Sequence, residues 1–393
     1  MSAVEKVKDF RNQQKDFMGI SFGTISAFGS NGAVTHYEPQ RETNKQIDNT
    51  SLYLLDSGGQ YKDGTTDVTR TMHYGDPTPY QIETYTRVLQ GAIDLASLIF
   101  PEGTGDTDVD IVTRKHLYEV GLDYRHGTGH GIGMYLNVHE APTQIRIYGG
   151  EEHKFEIGQF FSDEPGFYQD KDFGIRLETI IRVVEKKTPY QFDKKSLGFE
   201  AVTLVPFESN LINFTMLSSK QCRWLNDYHA QVREIVGNEL LAQDRKRGYD
   251  WVMAKTHRLP CISDHFSYAP DSASASRGKQ EVMPDKRSNC EDGDPFPSIR
   301  FDTSSRVERL RQEMINYRIN AYIIPSSDEH QSGYVAKANK RREYITGFSG
   351  SAGLAVVTLD KQALWTDGRY FRQADDELDC NWLLMKERNE GVS

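Results

Sequence analysis

Several things are scarce in this chain. Basic residues do not outnumber acidic ones: 47 Lys and Arg stand against 57 Asp and Glu, for a formal net charge of −10. That balance argues against a nucleic-acid partner held through phosphate contacts. No apolar run reaches the roughly 18 residues that mark a membrane-spanning helix, so no membrane partner is expected. The opening residues, Met1-Ser-Ala-Val-Glu-Lys-Val-Lys, lack the apolar core of a secretory signal. Cysteine is rare too, and Cys222, Cys261, Cys290 and Cys380 show no Cys-x-x-Cys spacing. Scattered in this way, they read as reduced thiols of a cytoplasmic protein, not as a disulfide framework or a thiolate zinc site. What is present is ample: 393 residues, 37% of them hydrophobic, suffice for two or more domains with cores.

The densest chemistry lies in Tyr124-Arg-His-Gly-Thr-Gly-His-Gly-Ile-Gly133 and the following Asn137-Val-His-Glu140. Three histidines, His126, His130 and His139, alternate with glycines. Glycine lets a backbone approach a ligand closely, and histidine is both the commonest metal ligand and a proton carrier near neutral pH. Taken alone, the stretch is equally a Gly-rich turn with surface histidines. Acidic residues elsewhere weaken that plainer reading.

Ser51–Asp56 reads as a short apolar strand ending in a carboxylate, and Asp63-Gly64 as a turn. Thr65–Thr71 reads as the returning strand. In such a hairpin Asp56 and Asp67 lie nearly opposite each other, and two carboxylates in one site repel unless a cation sits between them. Glu156–Asp163 reads as a strand that delivers Glu164 to a Pro-Gly turn, and Phe173–Val184 as one long β-branched strand with Glu178 embedded in it. An unpaired charge at Glu178 would cost several kcal/mol, so Arg176, two positions away on the same strand face, or a metal partners it, and both can do so at once. Helices are expected over 3–17, 79–100 and 107–120, and a short strand over Ala33–Tyr37. His36, on that strand, is by itself an ordinary surface histidine. Asp56, Asp67, His130, Glu164 and Glu178 together offer one imidazole and four carboxylates. That set suits a pair of Mn-, Co- or Fe-type ions better than a thiolate zinc site.

The stretches Leu55–Thr71, His126–Gly133, Asn137–Pro142, Ser162–Gly166 and Gly174–Glu178 closely resemble the catalytic domain of the X-prolyl aminopeptidase (aminopeptidase P) family. Leu197–Pro206 and Cys222–His229 are similar to the C-terminal part of its eukaryotic cytosolic branch. The resemblance covers residues 3 to about 256. It implies a pita-bread metallopeptidase with two divalent ions, usually Mn2+. On that basis Asp56, Asp67, His130, Glu164 and Glu178 match the metal ligands, with Asp67 and Glu178 bridging. His36, His126 and His139 match the histidines of the substrate cleft, and Glu164 also matches the group beside the reactive water. The implied substrates are X-Pro peptides, cleaved by a metal-activated hydroxide, and a homodimer is compatible with the family. Thr179 departs from the Asn common at its position, and the chain begins inside the family's first helical layer.

Residues 257–304 are polar and carry Pro270, Pro284, Pro295 and Pro297, the composition of a disordered linker. Beyond them an α/β pattern begins, with a helix over 304–316 and strands over 321–325, 354–358 and 363–365. Ile323–Ser332, Gly347–Gly353 and Trp365–Phe371 resemble the start of the same family's creatinase-like N-terminal domain. The expectation is therefore α+β: a pita-bread catalytic domain over 1–256, a linker over 257–304 and a partial α/β domain over 305–393. That order reverses the family's own and lacks its middle domain. Tandem copies, a mis-joined gene and a permuted chain would each look this way. Two alternatives to a working aminopeptidase stay open: an inactive or unstable fragment, and a non-catalytic binding protein on the same fold. Retention of all five ligands speaks against the second.

Overall fold

The computed structural model describes residues 2–147, 152–190, 193–261, 301–328, 330, 332 and 335–387. The chain divides into two compact units, Met1–Ser267 and Tyr268–Ser393. The expected linker over 257–304 lies almost wholly outside the described residues.

The first unit opens with α1 (Ser2–Asn12), β1 (Phe17–Ile20) and β2 (Ile25–Phe28). The helix is shorter than its apolar spacing suggests, because Phe17 joins a strand instead. Where a strand was expected over Ala33–Tyr37, a 3-10 turn covers Gly29–Ala33 and no strand follows. Next come β3 (Leu52–Ser57), β4 (Gly59–Tyr61), β5 (Gly64–Thr65) and β6 (Val68–His73). The anticipated simple hairpin is split between two sheets. β3 pairs with β2 and β6, while β4 pairs with β1 and β5. Within the first pair Asp56 faces Thr69, and Asp67 lies just outside β6.

Helix α2 (Pro79–Ala96) starts where local chemistry dictates. The Thr78 hydroxyl accepts from the Gln81 amide at 3.2 Å, the Gln81 side chain accepts from the Thr78 amide at 2.9 Å, and Pro79 fills the first helical position. The helix ends at Ala96 and not at residue 100, because Ile99–Pro101 forms β7 at one edge of a six-stranded sheet. Then follow α3 (Asp110–Tyr118), β8 (Gly129–Gly131), β9 (Glu140–Ile145), β10 (Phe160–Asp163), β11 (Gly166–Gln169), β12 (Phe173–Arg176), β13 (Thr179–Glu185) and β14 (Ser196–Ala201). The large sheet has the order β7-β14-β13-β10-β8-β9. Helices α4 (Ser219–Ala242) and α5 (Lys246–Lys255) complete the unit. Tyr85, Val88 and Leu89 of α2 share a core with Leu225 and Tyr228 of α4 and with Phe173 and Ile175 of β12.

The long strand expected over 173–184 is broken at Leu177–Glu178. β12 pairs with β11 in a two-stranded ribbon, and β13 pairs with β10 in the large sheet. At the break the backbone bonds elsewhere: Leu177 N–H donates to the Pro165 carbonyl at 3.2 Å and Glu178 N–H to the Thr69 carbonyl at 3.0 Å. Since buried peptide groups must find partners, this crossover stitches the β2-β3-β6 sheet to the large one at Glu178.

The cysteine expectation is overturned. Cys222 on α4 is disulfide-bonded to Cys261, Cys380 is also in a disulfide, and no cysteine is free among the described residues. Scattered spacing carried no information here, because α4 and the segment after α5 meet only in the folded unit. The Asn226 side chain joins the same two segments, accepting from Leu259 N–H at 2.8 Å and donating to its carbonyl at 3.1 Å.

The second unit contains α6 (Ser304–Asn316), β15 (Ala321–Pro325), α7 (Arg341–Thr346), β16 (Leu354–Thr358), β17 (Gln362–Thr366), α8 (Phe371–Glu377) and β18 (Leu383–Lys386). Its sheet runs β15-β16-β17-β18, with only the last pair parallel among the described strands. Val307 and Met314 of α6 pack with Val357, Leu364, Phe348 and Trp382.

Candidate metal centre

The site forms where the two stitched sheets meet. β3 supplies Asp56 at its buried end, and the approach to β6 supplies Asp67. β8 supplies His130. The antiparallel register sets Asp163 opposite Thr179, so Glu164 and Glu178 lie just beyond paired ends of β10 and β13. The backbone requires close contact here. A Cβ on Gly129 would overlap the Ser162 carbonyl, so glycine is what lets β8 bring His130 to β10.

All five expected ligands converge. Asp56, Asp67 and Glu178 each offer an oxygen, and these lie within 4.8 Å of one another. His130, Glu164 and Glu178 form a second such group, and Asp67, His130 and His139 a third. His130 Nδ1 lies 2.9 Å from its own neighbour's carbonyl, Gly131. A carbonyl only accepts, so Nδ1 carries the proton and Nε2 presents its lone pair to Glu164 Oε1 at 3.3 Å and Asp67 Oδ2 at 3.7 Å. Burial holds the His130 imidazolium form down.

The carboxylates are strained electrostatically. Burial first, then Glu178, Asp56 and Glu164, pushes the Asp67 carboxyl well above the usual range. Burial, Asp56 and Glu164 do the same to Glu178. Asp56 Oδ1 and Asp67 Oδ1 are buried without a hydrogen-bond partner. Orphaned oxygens on crowded carboxylates beside a neutral imidazole fit divalent cations, which need deprotonated oxygen and nitrogen donors.

Arg176 does not partner Glu178, as adjacency suggested. Its Nη2 donates to Asp56 Oδ2 at 2.7 Å. Glu178 Oε2 instead accepts from Thr69 Oγ1 at 2.8 Å. Arg176 Nη1 also donates to the Tyr168 hydroxyl at 2.8 Å and to the Thr35 carbonyl at 3.2 Å, which anchors the residue beside His36. Tyr168 was given no role from sequence. Its hydroxyl lies 2.9 Å from His126 Nε2. His126 Nδ1 donates to Gly127 O at 2.8 Å, so Nε2 accepts and Tyr168 donates. Burial, with Arg176 nearby, keeps His126 well below its ordinary pKa. Burial pushes the Tyr168 hydroxyl up to about 12, against the pull of Arg176. No spacing rule reveals this link, because His126 and Tyr168 are 42 positions apart. His36 and His139 are both exposed, and the His139 ring meets that of His130 edge-on at 4.3 Å between centroids.

Comparison with known proteins agrees with this geometry. Residues 2–185 match metallopeptidase family M24, residues 195–259 the C-terminal region of peptidase M24, and residues 306–392 the creatinase/prolidase N-terminal domain. Residues 2–259 belong to metallopeptidase family M24 through the first two of these matches. This M24 part adopts the pita-bread fold of that family, and a creatinase-type N-terminal domain follows it in sequence. The chain is 49% identical over 262 residues to a probable Xaa-Pro aminopeptidase P of Colletotrichum graminicola, covering 66% of this chain and 42% of that protein. It is 47% identical over 258 residues to Xaa-Pro aminopeptidase 2 of Sus scrofa, covering 66% and 38%. The crystal structure of the X-prolyl aminopeptidase of Caenorhabditis elegans, described as a cytosolic enzyme with a di-nuclear active site, superposes with a TM-score of 0.63. That pair shares 38% identity over 66% of this chain and 42% of the other. This chain thus spans about two fifths of the length of the curated relatives it matches. Among its described residues no helix is long and apolar enough to cross a membrane.

Proposed function

We propose that this chain is a metal-dependent aminopeptidase that releases the N-terminal residue from peptides with proline in second position. One observation carries the reading: four carboxylates and one neutral imidazole converge in overlapping groups whose donor atoms lie within 4.8 Å of one another. Asp56, Asp67 and Glu178 would hold one divalent ion, and His130, Glu164 and Glu178, with Asp67, the other. Manganese is the preferred ion for such an oxygen-rich set. Bound ions of this kind supply Lewis acidity and a water made acidic near neutral pH.

The chain's own groups do the rest. Glu164 is the least buried of the four carboxylates and takes and relays the proton of the attacking water. His139, exposed on the open side beside His130, donates to the peptide oxygen as it gains charge, an interaction worth more in the transition state than in the ground state. His126 is neutral with both ring nitrogens engaged, so it orients Tyr168 and does not exchange protons. Arg176 pins Asp56 and Tyr168 together from behind. His36, next to the anchored Thr35, shapes the proline side of the cleft. Placement in the cytosol rests on likeness to the C. elegans enzyme alone, and the paired cysteines argue against a reducing compartment.

The test is hydrolysis of a short X-Pro-Pro peptide with added Mn2+. Release of the first residue, lost on chelation, is the expected result. Full metal loading without hydrolysis would overturn the reading in favour of a metal-binding but inactive chain.

A further inference from the structure

The loop that carries His139 is anchored from an unexpected place. It leaves β8 after Gly131 and returns at Glu140, and the β8–β9 register shifts between His130 and Gly131. Its tip cannot be held by apolar packing, since Met134 is 83% exposed and Leu136 62%. Leu136 also sits in the left-handed region with φ 72, which costs a branched L-residue about 1–2 kcal/mol and persists only where its surroundings enforce it.

Gln60 enforces it. This residue lies on the middle strand of the β1-β4-β5 sheet and is only 7% exposed. Its Nε2 donates to the Leu136 carbonyl at 2.8 Å, and its Oε1 accepts from the Leu136 amide at 3.1 Å. An uncharged carboxamide presents a donor and an acceptor side by side, so one side chain satisfies both backbone groups of one residue. Two residues further on, Val138 is fully buried, and His139 follows it. The loop is therefore fixed at Leu136 by Gln60 and at Val138 by the core, which leaves His139 little freedom. Gln60 is 76 positions from Leu136 and touches none of the proposed metal ligands in the bonds it makes.

We propose that Gln60 is a positioning residue for the reaction: it sets His139 by clamping Leu136, without binding metal. This rests on the reading of His139 as a transition-state donor. Gln60→Met keeps the bulk and removes both hydrogen bonds, and Gln60→Glu keeps the acceptor but loses the donor. Gln60→Met should retain full Mn2+ content by elemental analysis and lower kcat roughly 10-fold or more, within the roughly 10²-fold that a misplacement of about 1 Å can cost. Gln60→Glu should fall between it and the wild type. In the His139→Ala background Gln60→Met should have no further effect, because the group it positions is gone. Amide hydrogen exchange at Leu136–Val138 should quicken at least 10-fold in Gln60→Met. Unchanged exchange there, or additive losses in the double variant, would overturn the proposal. A wild type and His139→Ala with equal kcat would instead sink the role of His139. The exchange measurement needs no activity, so it still judges the clamp in that case.

Discussion

Asp67 and Glu178 are the residues on which the metal reading stands or falls. Both are pushed toward their protonated forms by burial first and then by the other carboxylates, and both belong to groups able to share a cation. Asp67→Ala or Glu178→Ala should therefore remove at least one equivalent of Mn2+ and nearly all peptide hydrolysis. Elemental analysis showing full occupancy in Asp67→Ala would sink the assignment. The histidines separate more finely. His130→Ala should lose metal as well as activity, because its Nε2 faces Glu164 and Asp67. His139→Ala should keep its metal while kcat falls by roughly 10²-fold, the scale of losing one oxyanion donor. The His139 nitrogen also comes within 4.8 Å of its Asp67 and His130 counterparts, so equal metal loss in the two variants would make His139 a ligand. Residue identities singled out these candidates in advance: a carboxylate at the end of an apolar strand, or a histidine between glycines, is conspicuous. Tyr168 was not conspicuous, since a tyrosine after a Pro-Gly turn looks like any core aromatic until Arg176 and His126 meet it.

Elements were legible where local chemistry decides them and obscure where partners do. The capping box at Thr78 marks the start of α2 without reference to anything distant. The break at Leu177–Glu178 has no local signal, because the β-branched run around it is equally good as one strand. Only the Pro165 and Thr69 carbonyls explain it. Helix α4 carries a second buried group with consequences. His229 Nε2 accepts from the Phe207 amide at 3.3 Å, which requires the neutral ring, and burial lowers its pKa to about 4. A depressed pKa means the contribution to stability is present above the unfolded value of about 6.5 and lost as pH falls through the folded one. The difference is worth about 3 kcal/mol. Denaturant midpoints measured from pH 7 down to 4 should fall more steeply for the wild type than for His229→Gln. Parallel pH profiles would show that α4 tolerates the charged ring.

Each of the two units has its own hydrophobic packing, and the chain carries cross-links that its cysteine spacing concealed. The Cys222–Cys261 bond closes a loop with a sequence separation of 39, and by the chain-entropy argument it stabilises the first unit by about 4 kcal/mol. Treatment with a reductant should lower the melting temperature of that unit, and Cys222→Ala/Cys261→Ala should melt at the reduced value whether or not reductant is present. Identical melting of oxidised and reduced protein would show that the bond contributes nothing. All five proposed metal ligands lie in that unit. The second unit has its own sheet and core around Phe348 and Trp382, although it was expected only as an incomplete domain.

Composition, residue type and local spacing were enough for the family, for the five residues that converge at the candidate site and for the α/β character of the last segment. Each of these depends on which side chains exist and on what neighbours a few positions away allow. The pairing of Arg176 with Asp56, the Tyr168–His126 bond, the Glu178–Thr69 bond at the sheet crossover and the Cys222–Cys261 disulfide depend on groups between 39 and 120 positions apart. Such contacts arise only when burial forces every peptide group and charge to find a partner, and the partner is whichever group the packing brings near. That is why a sequence could single out the candidate ligands of this site, while only the folded chain could show what holds them.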